Sequence, residues 1–137
     1  MTRIVPFFLA PLFVASLLAQ KPGGWFLAGN NPRNYQVNTE TEGKVTLPEA
    51  QSNAEGFGTY MYQSPCDAYA GKRIRLQAQV RPEAVGRWAG LWMRVDATEK
   101  GKVLAFDNMQ QRPISGTKDW KEYSVVLNVK KDCGGLA

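Results

Sequence analysis

The sequence predicts an all-β protein, a two-layer β-sandwich, on three observations. Apolar residues fall into short runs that alternate with polar ones, the period of a half-buried strand. Gly, Pro, Asn and Asp separate those runs at turn-like spacings. No stretch beyond the first twenty residues carries the 3.6-residue apolar repeat of an amphipathic helix. Seven short strands at this spacing suit a sandwich, and the pattern alone leaves an immunoglobulin-like sandwich and a jelly roll both open.

Residues 1–19 read as a secretory signal peptide. Arg3 supplies the charged start, Ile4 to Leu18 the apolar run, and Ala19 or Ser16 the small residue at the cleavage point, although Leu17 departs from the ideal A-x-A pattern. Pro6 and Pro11 interrupt the run, which falls short of the ~20 apolar residues needed to cross a bilayer. Once the leader is gone, no membrane association is expected. No cysteine stands directly after it to carry a lipid. The expected mature part, residues 20–137, is about one domain's worth of chain.

Strands are expected at Tyr35 to Thr39, Lys44 to Leu47 and Gly56 to Gln63. Arg73 to Arg81 is the cleanest, with Ile74, Leu76, Ala78 and Val80 inward and Arg73, Arg75, Gln77, Gln79 and Arg81 outward. Trp88 to Asp96 and Val103 to Asn108 follow. In Trp120 to Val129, Tyr123, Val125, Leu127 and Val129 make the apolar row. Turns are expected at Gly71-Lys72, Glu99-Lys100-Gly101 and Ser115-Gly116.

The run Trp88-Ala89-Gly90-Leu91-Trp92-Met93-Arg94-Val95-Asp96 draws most interest. As one strand it puts Ala89, Leu91, Met93 and Val95 in the core and gathers Trp88, Gly90, Trp92, Arg94 and Asp96 on the other face. Indoles stack on sugar rings, and Arg, Asp, Asn and Gln bond hydroxyls, so this row is a candidate binding surface. Arg75 and Gln77 would extend it if their strand lies alongside, and Tyr60 or Tyr62 would border it. The plainer reading has Trp92 packed under a loop and Arg94 with Asp96 as a surface ion pair. Asp107-Asn108 opens an uncommon loop and joins the candidate ligand-binding set, with local backbone bonding as the alternative. Phe106, Trp120 and Tyr123, within or beside apolar runs, read as structural.

Gly24-Trp25, Gly56-Phe57-Gly58-Thr59 with Gln63, Tyr69 to Leu76, the Trp88 to Asp96 run and Phe106-Asp107-Asn108-Met109 through Asp119-Trp120 to Tyr123 together resemble a family of bacterial galactose-binding-like, carbohydrate-binding-module-like jelly-roll domains. The resemblance spans nearly the whole mature chain. It implies a jelly roll and a non-catalytic binding style without naming a ligand. Such domains usually run on into a further glycine-rich strand pair, whereas this chain stops at Cys133-Gly134-Gly135-Leu136-Ala137 and so reads as lacking its last strands. Leu136-Ala137 looks like the opening of another strand, the alternative being a naturally short, fraying tail.

Histidine is absent from the whole sequence, which removes the commonest general base, the usual zinc ligand and the ordinary triad partner. No catalytic residue and no enzymatic activity are expected. The best remaining acid–base pair would be Asp96 with Asp107. No cofactor is expected either; Asp96, Asp107 and Asn108 supply oxygens of the kind Ca²⁺ takes, but in no Asp-x-Asp-x-Asp-Gly loop. The net charge of +5 falls to +4 when Arg3 leaves with the leader, and the basic residues are scattered, so no nucleic-acid partner is expected. Cys66 and Cys133 are an even pair in a chain expected to be exported, so a disulfide is favoured over two unrelated small residues. Composition specifies no oligomeric state. The function expected is an exported, periplasmic or extracellular module binding a glycan, with a structural or protein-interaction domain as the alternative.

Overall fold

The computed structural model describes residues 24–38 and 55–137. The expected leader and the strand expected at Lys44 to Leu47 lie outside the described residues. The described chain is all-β: nine strands are broken only by two 3-10 turns, Pro32–Asn34 and Asp67–Tyr69. The strands are β1 (Trp25–Gly29), β2 (Gly58–Tyr62), β3 (Arg73–Val80), β4 (Val85–Ala89), β5 (Met93–Ala97), β6 (Val103–Asp107), β7 (Ile114–Gly116), β8 (Lys121–Asn128) and β9 (Cys133–Leu136). All pair antiparallel, in four small sheets ordered β1-β2, β3-β8, β4-β7 and β6-β5-β9.

The two cleanest alternating segments find each other. β3 and β8 pair over their full length, from Arg73 opposite Asn128 to Val80 opposite Lys121. Their apolar rows face inward, where Ile74 and Val125 join Met93, Val95, Met109, Ile114, Val129 and Cys66 in one buried core. Leu76, Val80, Tyr123 and Leu127 pack against it. The hairpin of β5 and β6 closes through the expected turn, with Ala97 N donating to Lys102 O at 2.9 Å and Gly101 at φ 81°. At the other side of β5, β9 joins the sheet and is itself bridged by Ser64. The strand expected to open at Leu136 therefore starts earlier, at Cys133. Cys133 is bonded to Cys66 across a Cα–Cα distance of 6.2 Å.

Three local expectations fail. Tyr35 to Asn38 forms no strand; Pro32 opens a 3-10 turn whose carbonyl accepts from Tyr35 N, and the Tyr35 ring then lies over Gly58. Ser115-Gly116 is the end of β7 rather than a free turn. Trp88 to Asp96 is two strands in two different sheets, β4 with β7 and β5 with β6 and β9. The break falls at Gly90. A Cβ there would stand 2.9 Å from Asn108 O and 3.1 Å from Met109 Cβ, so the 108–109 segment crosses where a ladder would have to continue.

Candidate functional site

Splitting that run takes Trp88 away from the rest of the row. Its ring is 45% exposed on β4 and turned back toward Gly90. Beyond the break, alternation in β5 sends Met93 and Val95 inward, 7% and 0% exposed, and leaves Arg94 and Asp96 half-buried on the opposite face. Across the ladder Arg94 faces Phe106 and Asp96 faces Val103. Trp92 completes the patch just before β5, its ring centroid 6.3 Å from that of Phe106. The surface is thus a half-closed indole and an ion pair beside two exposed apolar side chains.

Its polar groups are already engaged. Trp92 Nε1 donates to Thr59 Oγ1 at 2.6 Å, tying β5 to the β1–β2 sheet through a buried hydroxyl. Arg94 Nε lies 2.9 Å from Asp96 Oδ1 and 3.1 Å from its Oδ2. Such groups would have to give up internal partners before meeting a hydroxyl-rich ligand, which works against the binding style expected of the row.

Arg75 and Gln77 do not extend this surface. They lie on β3, which pairs with β8 and not with β5. Gln77 Nε2 donates to Glu122 Oε2 at 2.6 Å on that other sheet. Tyr60 and Tyr62 flank Trp25 on the β1–β2 sheet, at 5.4 and 5.8 Å between ring centroids, and form a separate aromatic group. Phe106 and Trp120, expected to be structural, are 53% and 51% exposed, whereas Tyr123 does pack on the core.

Asp107 and Asn108 hold their own loop. Asp107 Oδ1 accepts from Met109 N at 2.8 Å, and its carboxylate takes Arg112 Nη1 at 3.1 Å and Nη2 at 2.6 Å. Asn108 Oδ1 accepts from Gln110 N at 3.1 Å. These Asx-type bonds fix Met109 at φ 60° with its side chain 2% exposed, so the loop plugs the core. The local-bonding alternative for this pair is the one observed. Arg112 Nη2 also reaches Ser124 O at 3.5 Å, clipping the loop to β8.

The Arg112 hydrogen bonds hold the Asp107 carboxyl below its ordinary value of 3.8, the Met109 amide acts in the same direction, and partial burial opposes both. A carboxyl lowered by folding adds stability above about pH 4, the unfolded value, and that stability is lost as pH falls through the folded one. Acidification from pH 7 to pH 3 is therefore expected to lower the urea midpoint more in the wild-type chain than in Asp107→Asn. Equal losses in the two proteins would show that the pair contributes nothing.

Asp96 and Asp107 are not brought together as an acid–base pair. Asp96 stands opposite Val103 and Asp107 opposite Met93, at opposite ends of the β5–β6 ladder, each with its own arginine. Nor do Asp96, Asp107 and Asn108 converge into the oxygen cage considered for Ca²⁺. Among the described residues no group of three His, Cys, Asp or Glu could hold a metal ion.

No protein-family model matches the chain, and no solved structure does. It is 37% identical over 125 residues to a Bacillus subtilis (strain 168) protein named as an uncharacterized HTH-type transcriptional regulator, YbfP. The match covers 85% of this chain and 42% of that relative, so the chain spans less than half the length of the protein it resembles. A relative named for transcriptional regulation corrects the expectation of an exported carbohydrate-binding module, together with its glycan partner and its exclusion of nucleic acid.

Proposed function

We propose that this chain has a regulatory role in transcription, as a β-rich domain that works beside a DNA-reading helical part rather than being that part. The observation that carries this reading is the uneven coverage of the match: most of this chain, but only 42% of a relative named as a helix-turn-helix regulator. A helix-turn-helix needs two packed helices, the second lying in the major groove. Among the described residues the helical elements are two three-residue 3-10 turns, too short for that task. The described part of the chain is thus better suited to modulating a regulator than to reading bases. The role is non-catalytic, in keeping with Asp96 and Asp107 each being held by an arginine. The same reading takes the architecture as a galactose-binding-like jelly-roll sandwich, supported by antiparallel pairing throughout and by inner rows that meet in one core.

The test is made in the source organism with the tagged full chain. After cross-linking, recovery of the chain should enrich a limited set of promoter fragments, and deleting its gene should change transcripts from those promoters. Recovery of the chain wholly outside the cytoplasm, or enrichment of no promoter, overturns the reading.

A further inference from the structure

We propose that the outward face of the β3–β8 ribbon is a sequence-independent contact surface for the phosphate backbone of duplex DNA. This inference rests on the regulatory reading above and names a partner and a place for it. Alternation in β3 sends Arg73, Arg75, Gln77 and Gln79 to one side, with Arg81 following just beyond the strand, and all five are exposed. The β8 residues opposite the first four are Asn128, Val126, Ser124 and Glu122. Glu122 is the one carboxylate on this ribbon face, and the Gln77 amide occupies it. Arg73 and Arg75 make no ion pair or hydrogen bond among the described residues, unlike Arg94 and Arg112, which are committed to Asp96 and Asp107.

The ribbon has the dimensions for this partner. Same-face residues of a strand repeat about every 6.8 Å, close to two steps of the 3.4 Å axial charge spacing along one DNA strand. The span from Arg73 to Arg81 is then roughly 27 Å, several phosphates long. At its far end the Arg81 guanidinium lies 5.4 Å from the ring centroid of the exposed Trp120, a flat cationic shelf. A two-stranded antiparallel ribbon is also one of the two elements that fit against a major groove. The Arg73 and Arg75 guanidinium donors, which no carboxylate among the described residues pairs, suit phosphate oxygens, and they carry no sequence information when they bind them. Arg73, Arg75 and Arg81 form this row because alternation along the extended chain brings them to one side.

The test measures fluorescence anisotropy of two labelled 30-base-pair duplexes of unrelated sequence with the purified full chain, from low to moderate KCl. Both duplexes should bind with similar affinity, and affinity should fall steeply with salt. The double variant Arg73→Gln, Arg75→Gln should bind at least tenfold more weakly at low salt, with the slope of log K against log salt reduced by about 1.8. Arg94→Gln, on the other sheet, should bind as the wild type does, and melting curves should show all three chains folded. No binding by the wild type at low salt, or an unchanged slope in the double variant, overturns the proposal. Promoter recovery in cells together with indifference to duplex in the cuvette removes this surface and leaves the regulatory reading intact. Duplex binding without promoter recovery does the reverse.

Discussion

Replacing Cys66 and Cys133 together by alanine is expected to lower the stability of the domain by about 4 kcal/mol. The bridge closes a sequence separation of 67 residues, and a loop of that size removes much of the freedom that the unfolded chain would otherwise gain. Domains of this size hold a net stability of roughly 5–15 kcal/mol, so the loss is about a quarter or more of the total. The folded state adds a local reason. Cys133 is the first residue of a four-residue strand, and Cys66, 3% exposed, sits in the core at the head of the Asp67–Tyr69 turn. Without the covalent tie, β9 relies on its ladder to β5 and on the exchange of bonds between Ser64 and Leu136 at 3.0 and 2.9 Å. Urea denaturation with and without a reducing agent, beside the double-alanine chain, checks the magnitude. Amide exchange should quicken at Gly135 and Leu136 before it does at Val125. An unchanged midpoint in fully reduced protein, verified by thiol titration, would refute the estimate.

Much of the fold was legible where alternation is pure and long. Arg73 to Val80 and Lys121 to Asn128 each run eight residues with one face apolar, and the structure pairs them end to end. The cysteine pair was legible from its even count, though neither spacing nor pattern places Cys66 beside β9. The break in Trp88 to Asp96 was not legible, because its cause is a segment eighteen residues downstream whose Asn108 carbonyl crosses at Gly90. Local alternation runs straight through that position and argues for one strand. Phe106, expected to be structural, is exposed for a related reason. The register of β5 and β6 shifts between Val95 and Asp96, so Leu104 and Ala105 both pack toward the core while Val103 and Phe106 stay exposed. A period-two reading of Val103 to Asp107 cannot carry such a shift.

The candidate site was legible in part. Arg94 and Asp96 do share a face beside Trp92, as the alternation predicts, but Arg75 and Gln77 would join it only if consecutive strands were neighbours. Here β3 pairs with β8, so the two sets of polar residues lie on different sheets. The sequence also cannot reveal that the Trp92 ring N–H and the Arg94 Nε–H are spent internally. Thr59, which takes the Trp92 N–H, lies 33 residues away in a segment whose own pattern marks it only as a strand. Reading a binding surface from residue types counts donors, whereas function depends on those left over after folding.

Ile114→Ala is expected to cost about 3 kcal/mol, the second large effect, and Ile114→Val about 1 kcal/mol. Ile114 is 1% exposed and among the largest fully buried side chains, yet it belongs to a strand of three residues. Its strand pairs with β4 at only two positions, Val85 opposite Gly116 and Ala89 opposite Ile114, with a register shift between them. A ladder so sparse adds little of its own, and β4 exposes Gly86, Arg87 and Trp88 to solvent. Ile114, with the half-buried Ala89 beside it, is therefore the anchor that binds the β4–β7 sheet to the core. Truncation leaves a cavity next to the plug formed by Met109, whose backbone is fixed by the Asp107 and Asn108 bonds and cannot readily move in to fill it. Chemical denaturation gives the global loss, and amide exchange gives its location: β4 and β7 should lose protection well before the β3–β8 pair. If Ile114→Ala costs no more than Ile114→Val, or if exchange quickens evenly across the sheets, the β4–β7 sheet is held by something other than this side chain.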